Sequence, residues 1–217
     1  MRFTILTLFP KAFDSYLGES MMARAQKNKL INIEIIDIRD FTNDKHRTAD
    51  SKPYGGGPGM VMRAEPILKA FISIKKKSKK IRVIITSAAG RQFTNALAHV
   101  YTKKYDHLVI IAGHYEGIDE RVKKVLKATE ISIGDYVLTG GELPALVMID
   151  AISRQIPGVL GRAESLEESR LGTGVPAYTR PETLVYQKKK YRVPKELASG
   201  SHAMIEAWRK KHQKKIK

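Results

Sequence analysis

The sequence predicts an α/β fold in which a mostly parallel sheet carries helices on both faces. Apolar, β-branched runs recur at Phe3–Phe9, Ile31–Ile38, Ile81–Thr86, Leu108–Ala112 and Ile131–Leu138. Several lack the alternation of a half-exposed strand, which marks strands buried on both faces. The intervening stretches have helical character, and strands alternating with helices imply crossovers between parallel neighbours.

In chain order, the first run is broken by Thr4 and Thr7, stops at Pro10 and lacks a small-residue cleavage site, so it reads as a buried strand and not as a leader. A helix over Phe13–Lys27 leads to the second strand, and the polar run Asp40–Lys52 leads to the loop PYGGGPGM at 53–60. Helices are then expected at Glu65–Ile74, Asn95–Tyr101, Asp119–Lys127 and Glu142–Arg154. The third of these opens with acids and ends in lysines, as the helix dipole favours. After Gly161 the pattern gives way to a polar segment, Arg162–Pro176, and the tail sets Ala203, Ile205, Ala207 and Trp208 among lysines, which suits a short basic helix. The expected organisation is a ligand-binding domain over 1–160, a linker over 161–177 and a small basic helical C-terminal domain over 178–217.

Composition narrows the partners. The chain has 217 residues and a formal charge of +17, an excess that points to a polyanion, because each lysine or arginine set against a phosphate releases counterions. The absence of cysteine removes disulfides, thiolate nucleophiles and zinc–thiolate sites, and fits a reducing cytoplasmic setting. No apolar window approaches the length that spans a membrane.

Glycine marks the functional regions. PYGGGPGM is not a Walker loop, because Met60 and Val61 follow Gly59 where Lys and Ser or Thr are required, and it fits no G-x-G-x-x-G register. A glycine-bearing turn is also expected after each of the last three strands, at Ser87–Gly90, Gly113–Gly117 and Gly134–Glu142. In open α/β sheets ligands bind outside the carboxyl ends of strands, so these loops converge on one pocket.

The motifs GHYEGIDERV (113–122), SIGDYVLTGGELPA (132–145), PYGGGPGM, IPGVLG (156–161), YTRPE (178–182) and SGSHAMIEAWR (199–209) together resemble the bacterial tRNA (guanine-37-N1)-methyltransferase family of the SPOUT superfamily, in family order over nearly the whole chain. The resemblance, and not periodicity, implies a trefoil knot at the C-terminal side of the sheet domain. It also implies a homodimer whose active site joins two subunits, and S-adenosylmethionine as methyl donor.

On that resemblance the cofactor lies against Thr86, Ser87 and Ala88, against Gly113, Tyr115, Glu116 and Gly117, and against Ile133, Gly134, Asp135, Tyr136, Val137, Leu138, Gly140 and Gly141. Main-chain groups there would read the adenine edge, and Tyr115, Tyr136 and Leu138 would supply apolar walls. Glu116 either faces the sulfonium or forms a loop ion pair with Arg121. The PYGGGPGM loop, through Gly55, Gly56, Gly57 and Gly59, is expected to lie along the guanine, with Asp50 and Ser165 as further polar contacts.

Methylating N1 of guanine requires a general base, because that nitrogen carries a proton, and a cation or donor aimed at O6, where negative charge grows. By motif Arg154 takes the O6 side. The family places an aspartate before a serine in the polar segment, whereas Glu168 precedes Ser169 here, so Glu168 is expected as the base, with Glu167 as the alternative. A magnesium requirement belongs to the family and is compatible with the acidic segment, although no aspartate cluster demands a metal. Family chains usually continue further than the eight residues that follow Arg209 here, so the tail lysines are expected to grip tRNA by charge. Two rivals stand beside this reading: an RNA-binding protein of the same fold with little or no activity, and a SPOUT enzyme acting on ribosomal RNA.

Overall fold

The computed structural model describes residues 1–74, 80–161 and 174–213. The chain divides into two compact units, Met1–Leu160 and Gly161–Lys217.

The first unit is built on β1 (Arg2–Thr7) and β2 (Asn32–Asp37), joined through α1 (Asp14–Leu17) and α2 (Ser20–Lys27). A hairpin of β3 (Asp50–Ser51) and β4 (Val61–Met62) and helix α3 (Ala64–Ser73) follow. Then come β5 (Ile81–Gln92), α4 (Asn95–Lys104), β6 (His107–Ile111), α5 (Glu120–Leu126), β7 (Thr129–Ser132) and α6 (Glu142–Ser153). The five long strands form one sheet in the order β2-β1-β6-β5-β7, and every pairing in it is parallel.

Strand alternation sends side chains to both sides of this sheet. Phe3, Ile5, Leu108 and Ile110 pack with residues of α1, α2, α4 and α6 in one core. Leu6, Val109 and Ile111 pack with residues of α3 and α5 in the other. Helices therefore cover both faces, and β6, buried along its whole length, is the apolar centre that its sequence predicts.

Three expected elements differ from the structure. The helix expected over Phe13–Lys27 is interrupted between α1 and α2, where Gly18 sits too close to the Asp14 carbonyl for a side chain (2.8 Å from an ideal Cβ) and Ser20 is left-handed with φ of 49°. The strand expected over Ile131–Leu138 stops at Ser132, whose hydroxyl donates to the Gly134 carbonyl at 2.9 Å and so turns the chain away. Conversely, β5 does not turn at Ser87–Gly90. It continues to Gln92, and Thr86 and Arg91 both pair with Ile131, so residues 87–90 form a bulge.

At the amino-terminal end of the sheet a polar cluster is closed. His107 Nε2 pairs with the Thr4 hydroxyl at 2.9 Å, and Arg2 donates to Glu34 at 2.5 Å. Burial, reinforced by the Arg2 charge and opposed by Glu34, lowers the His107 pKa to about 4.

The second unit contains a hairpin of β8 (Thr183–Tyr186) and β9 (Lys189–Arg192), then α7 (Lys195–Ala198) and α8 (His202–His212). It is therefore not purely helical, as its sequence led us to expect. The hairpin turn uses Gln187 and Lys188, both at positive φ (47° and 62°), in place of the Asn-Gly pair that would have announced it. Trp208 of α8 is buried, and its ring lies 6.1 Å from that of Tyr178. The segment Arg162–Thr173 lies outside the described residues.

Candidate active site

Because all five strands run parallel, β5, β6 and β7 deliver their following segments to the same end of the sheet. There they enclose a cavity of about 390 Å³, within the size range of small-ligand sites. Of the residues expected to hold a cofactor, Thr86, Ser87, Ala88, Gly113, Tyr115, Glu116, Gly117, Ile133, Tyr136, Val137, Leu138, Gly140 and Gly141 line it. Gly134 and Asp135 do not. They form the turn below it, where an added Cβ at Gly134 would meet the Tyr136 ring at 2.8 Å, so Tyr136 stacks over bare backbone.

The three segments are locked together by main-chain contacts. The buried Thr86 hydroxyl donates to the Ile111 carbonyl at 3.3 Å and accepts from the Gly113 N–H at 3.0 Å. The Gly141 N–H donates to the Gly113 carbonyl at 2.6 Å. A Cβ on Gly141 would lie 2.6 Å from the Gly113 nitrogen and 2.9 Å from Ala112 Cα, so only glycine admits this approach. Tyr115 takes φ of 57°, an uncommon conformation for an aromatic residue and one that clusters at functional sites. Tyr115, Tyr136, Val137 and Leu138 all remain exposed at the cavity.

The PYGGGPGM loop joins the same site. It is the tip of the β3–β4 hairpin, and β4 is sewn to the loop after β6 through Met62 N–H to the Gly117 carbonyl (2.9 Å) and Asp119 N–H to the Met62 carbonyl (3.0 Å). Gly55, Gly56, Gly57 and Gly59 all have positive φ. A Cβ on Gly59 would sit 2.5 Å from Glu116 Cγ, so the Glu116 side chain lies on the glycine backbone. Arg121 is held by Asp119 through its Nε (2.9 Å) and Nη2 (2.6 Å). Asp50 begins the hairpin, opposite Met62.

Sequence reading set Glu142 beside these loops but did not single out His114, which lines the cavity while Glu142 does not. Glu142, at the start of α6, is buried, accepts from the Thr7 hydroxyl at 2.8 Å, and lies 3.7 Å from His114 Nδ1. The His114 ring packs between Phe9 and Tyr115, with centroids 4.7 and 4.8 Å away. Both residues were inside the quoted motifs, yet nothing in their spacing shows that β1 ends beside them.

Arg154 caps the C-terminus of α6 and is not among the residues lining the cavity. It lies ten residues beyond the cavity-lining Pro144, roughly 15 Å along a helix. Glu168, Glu167 and Ser165 lie outside the described residues. Among the described residues no group of three or more His, Asp or Glu side chains could hold a metal, and no helix is long and apolar enough to cross a membrane.

A parallel sheet with a glycine-walled cavity at its carboxyl edge, in a strongly basic chain, defines an α/β protein with room for a small ligand and the charge to meet a polyanion. The sequence profile described as tRNA (Guanine-1)-methyltransferase TrmD matches residues 1–216, and the chain belongs to that family. It is 49% identical over 97% of its length to the tRNA (guanine-N(1)-)-methyltransferase of Carboxydothermus hydrogenoformans, covering 82% of that protein. It is 48% identical to the protein of the same name from Desulforamulus reducens, covering 97% of this chain and 83% of that one. For the corresponding protein of Ruminiclostridium cellulolyticum the identity is 47%, with 96% and 89% covered.

Proposed function

We propose that this chain transfers a methyl group to N1 of guanine 37 in tRNA, 3′ to the anticodon. The observation that carries the reading is the joining of the cavity at the carboxyl edge to the PYGGGPGM loop through Glu116, Gly117 and Gly59, which sets a cofactor-sized space beside the open backbone of Gly55, Gly56 and Gly57. S-adenosylmethionine, when bound there, supplies an electrophilic methyl on a sulfonium. The lining fits it: exposed aromatic and aliphatic walls at Tyr115, Tyr136, Val137 and Leu138, and the carboxylate of Glu116.

The protein's own residues then supply the rest. The glycine loop and Asp50 position the base, Ser165 offers a further polar contact, and Glu168 accepts the N1 proton. Arg154 stabilises the charge that grows on O6. Holding the reacting groups in line contributes up to about 7–11 kcal/mol. The return of residues 133–141 from the edge strand β7 to Gly113, in the loop after the inner strand β6, supports the knotted topology of the SPOUT superfamily.

The distance of Arg154 from the cavity along α6 supports a homodimer in which one subunit's Arg154 serves its partner's cavity. Exposed apolar Leu143 and Val147 on α6 fit an interface there. We read the protein as cytoplasmic, where tRNA is found, and the second unit as a tRNA-binding domain. Magnesium is left out of the mechanism.

The test is complementation. Gly141→Val removes the cofactor cavity and Arg154→Ala removes the charge stabiliser, each alone abolishing or strongly reducing methylation of a tRNA transcript, scored by nucleoside mass spectrometry. Subunits mixed after reversible dissociation should recover activity, because one of the two sites then has both parts intact. A parent enzyme that forms no 1-methylguanosine overturns the function, and a mixture that stays inactive overturns the shared site. Glu168→Gln should slow single-turnover methylation by about 10²–10⁴, with tRNA binding retained.

A further inference from the structure

His114 has no part in the chemistry above, although several segments meet on it. Its N–H donates to Met62 Sδ at 3.2 Å, its carbonyl accepts from the Gly117 N–H at 3.1 Å, and it pairs with Gly140 in an antiparallel bridge. The main chain thus fixes it between β4, the loop after β6 and the segment that leads into α6. The side chain is enclosed as closely. Its ring meets that of Tyr115 edge-on, and an ideal Cβ on Gly140 would lie 2.5 Å from Nδ1 and against Glu142 Oε2. Tyr115 and Gly140 both line the cavity, so His114 supports two parts of its wall.

Glu142 selects the role. Its Oε1 accepts from the Thr7 hydroxyl, while Oε2 stands 3.7 Å from Nδ1, just beyond hydrogen-bond reach. Nδ1 is buried and has no hydrogen-bond partner among the described residues. A lone pair on that nitrogen would face a carboxylate, and a buried polar atom left unpaired is costly. A proton on Nδ1 removes both penalties through one contact. We propose that His114 is a positioning residue for the methyl donor: it carries its proton on Nδ1, and the gap to Glu142 closes to a hydrogen bond when the cofactor seats against Tyr115 and Gly140. The inference rests on the reading of S-adenosylmethionine as the ligand of this cavity. His114 acts through those two residues and not on the reacting atoms.

Two substitutions in the full-length protein separate the proton from the ring. Asparagine places an amide N–H near the position of Nδ1, whereas phenylalanine keeps a ring between Phe9 and Tyr115 without a donor. His114→Phe should weaken S-adenosylmethionine binding in calorimetry by about 10- to 100-fold, the range for a lost hydrogen bond to a charged group. His114→Asn should recover most of that affinity. Glu142→Met removes the acceptor instead, and the double variant His114→Phe, Glu142→Met should lose little more than the worse single variant, because both changes break one bond. In nitrogen NMR spectra of isotope-labelled histidine, the His114 ring of the parent, assigned through its contact with Tyr115, should carry a proton on Nδ1 once the cofactor is saturating.

Affinity kept in His114→Phe and lost in His114→Asn would assign the residue to ring packing and overturn the proposal. A bare Nδ1 in the cofactor-bound parent would overturn it as well, and that readout stands even where a variant does not fold. Both variants binding like the parent overturn the role of His114 and leave the cofactor reading intact. A parent that binds no S-adenosylmethionine overturns both.

Discussion

At the amino-terminal end of the parallel sheet, Arg2, Thr4, Glu34 and His107 close on one another over the ends of β1, β2 and β6. At the carboxyl end of the same strands the chain leaves glycine backbone, exposed aromatic rings and a cavity of about 390 Å³. The two ends share strands, cores and helices, so neither burial nor secondary structure distinguishes them. What differs is what they present: charged and polar side chains closed on one another, or glycine backbone and exposed rings. The His107 imidazole is paired to Thr4 within the closed cluster. His114 Nδ1, at the open end, is buried without a hydrogen-bond partner and faces Glu142 across 3.7 Å.

Three perturbations probe that contrast. The largest effect is expected for Gly141→Val, whose side chain would enter the space held by Gly113 and Thr86. S-adenosylmethionine affinity measured by calorimetry should fall about 100-fold or more, while circular dichroism reports a folded protein. Loss of the fold instead would mean that the open end is as structural as the closed one.

A smaller loss is expected for Gly59→Ala, which combines φ of 82° with a contact 2.5 Å from Glu116 Cγ. Displacing the glycine loop should lower single-turnover methyl transfer by about 10- to 100-fold through misplacement of the base. Cofactor affinity should stay near that of the parent. Equal losses in both measurements would merge the loop and the cavity into one site and blur the division of labour within the open end.

The smallest effect belongs to the closed end and appears only in acid. His107 is held near pKa 4 in the fold, against about 6.5 in the unfolded chain. Between those values the unfolded chain binds more protons, so stability falls as pH drops through 6.5 toward 4 and is fully present above 6.5. The loss should appear in urea titrations between those pH values, and His107→Gln should flatten that part of the profile. Methyl transfer at neutral pH should be unaffected, which separates the two ends by function as well as by place.

Much of this architecture is legible in the residues. β6 reads as HLVII and is buried throughout, and the acid-to-lysine gradient of α5 marks a helix at the right place. What was hidden had non-local causes. The bulge in β5 exists because Gly90 presses against Ile131 of β7, where a Cβ would lie 2.5 Å from its nitrogen, and no local pattern in Ser87–Gly90 encodes that neighbour. The β8–β9 turn uses Gln and Lys in left-handed conformations, so it lacks the glycine signal that sequence reading depends on. The candidate cavity was legible as three glycine-bearing segments. The pairing of Thr7 with Glu142 beside it was not, because the two meet only through the sheet order.

That meeting also bears on how the protein comes into being. The hydrogen bond from Thr7 to Glu142 closes a loop of 135 residues, and the last wall of the cavity, from Thr139 to Pro144, follows every strand of the sheet in the chain. Contacts of such separation form late, after the entropy of the intervening loop has been overcome. On the ribosome, the Thr7 hydroxyl must wait for most of the first unit to emerge before Glu142 reaches it. Closure of the cavity is thus a late event in the life of each chain, and a truncated chain ending before residue 139 has every strand of the sheet with nothing to close its carboxyl end.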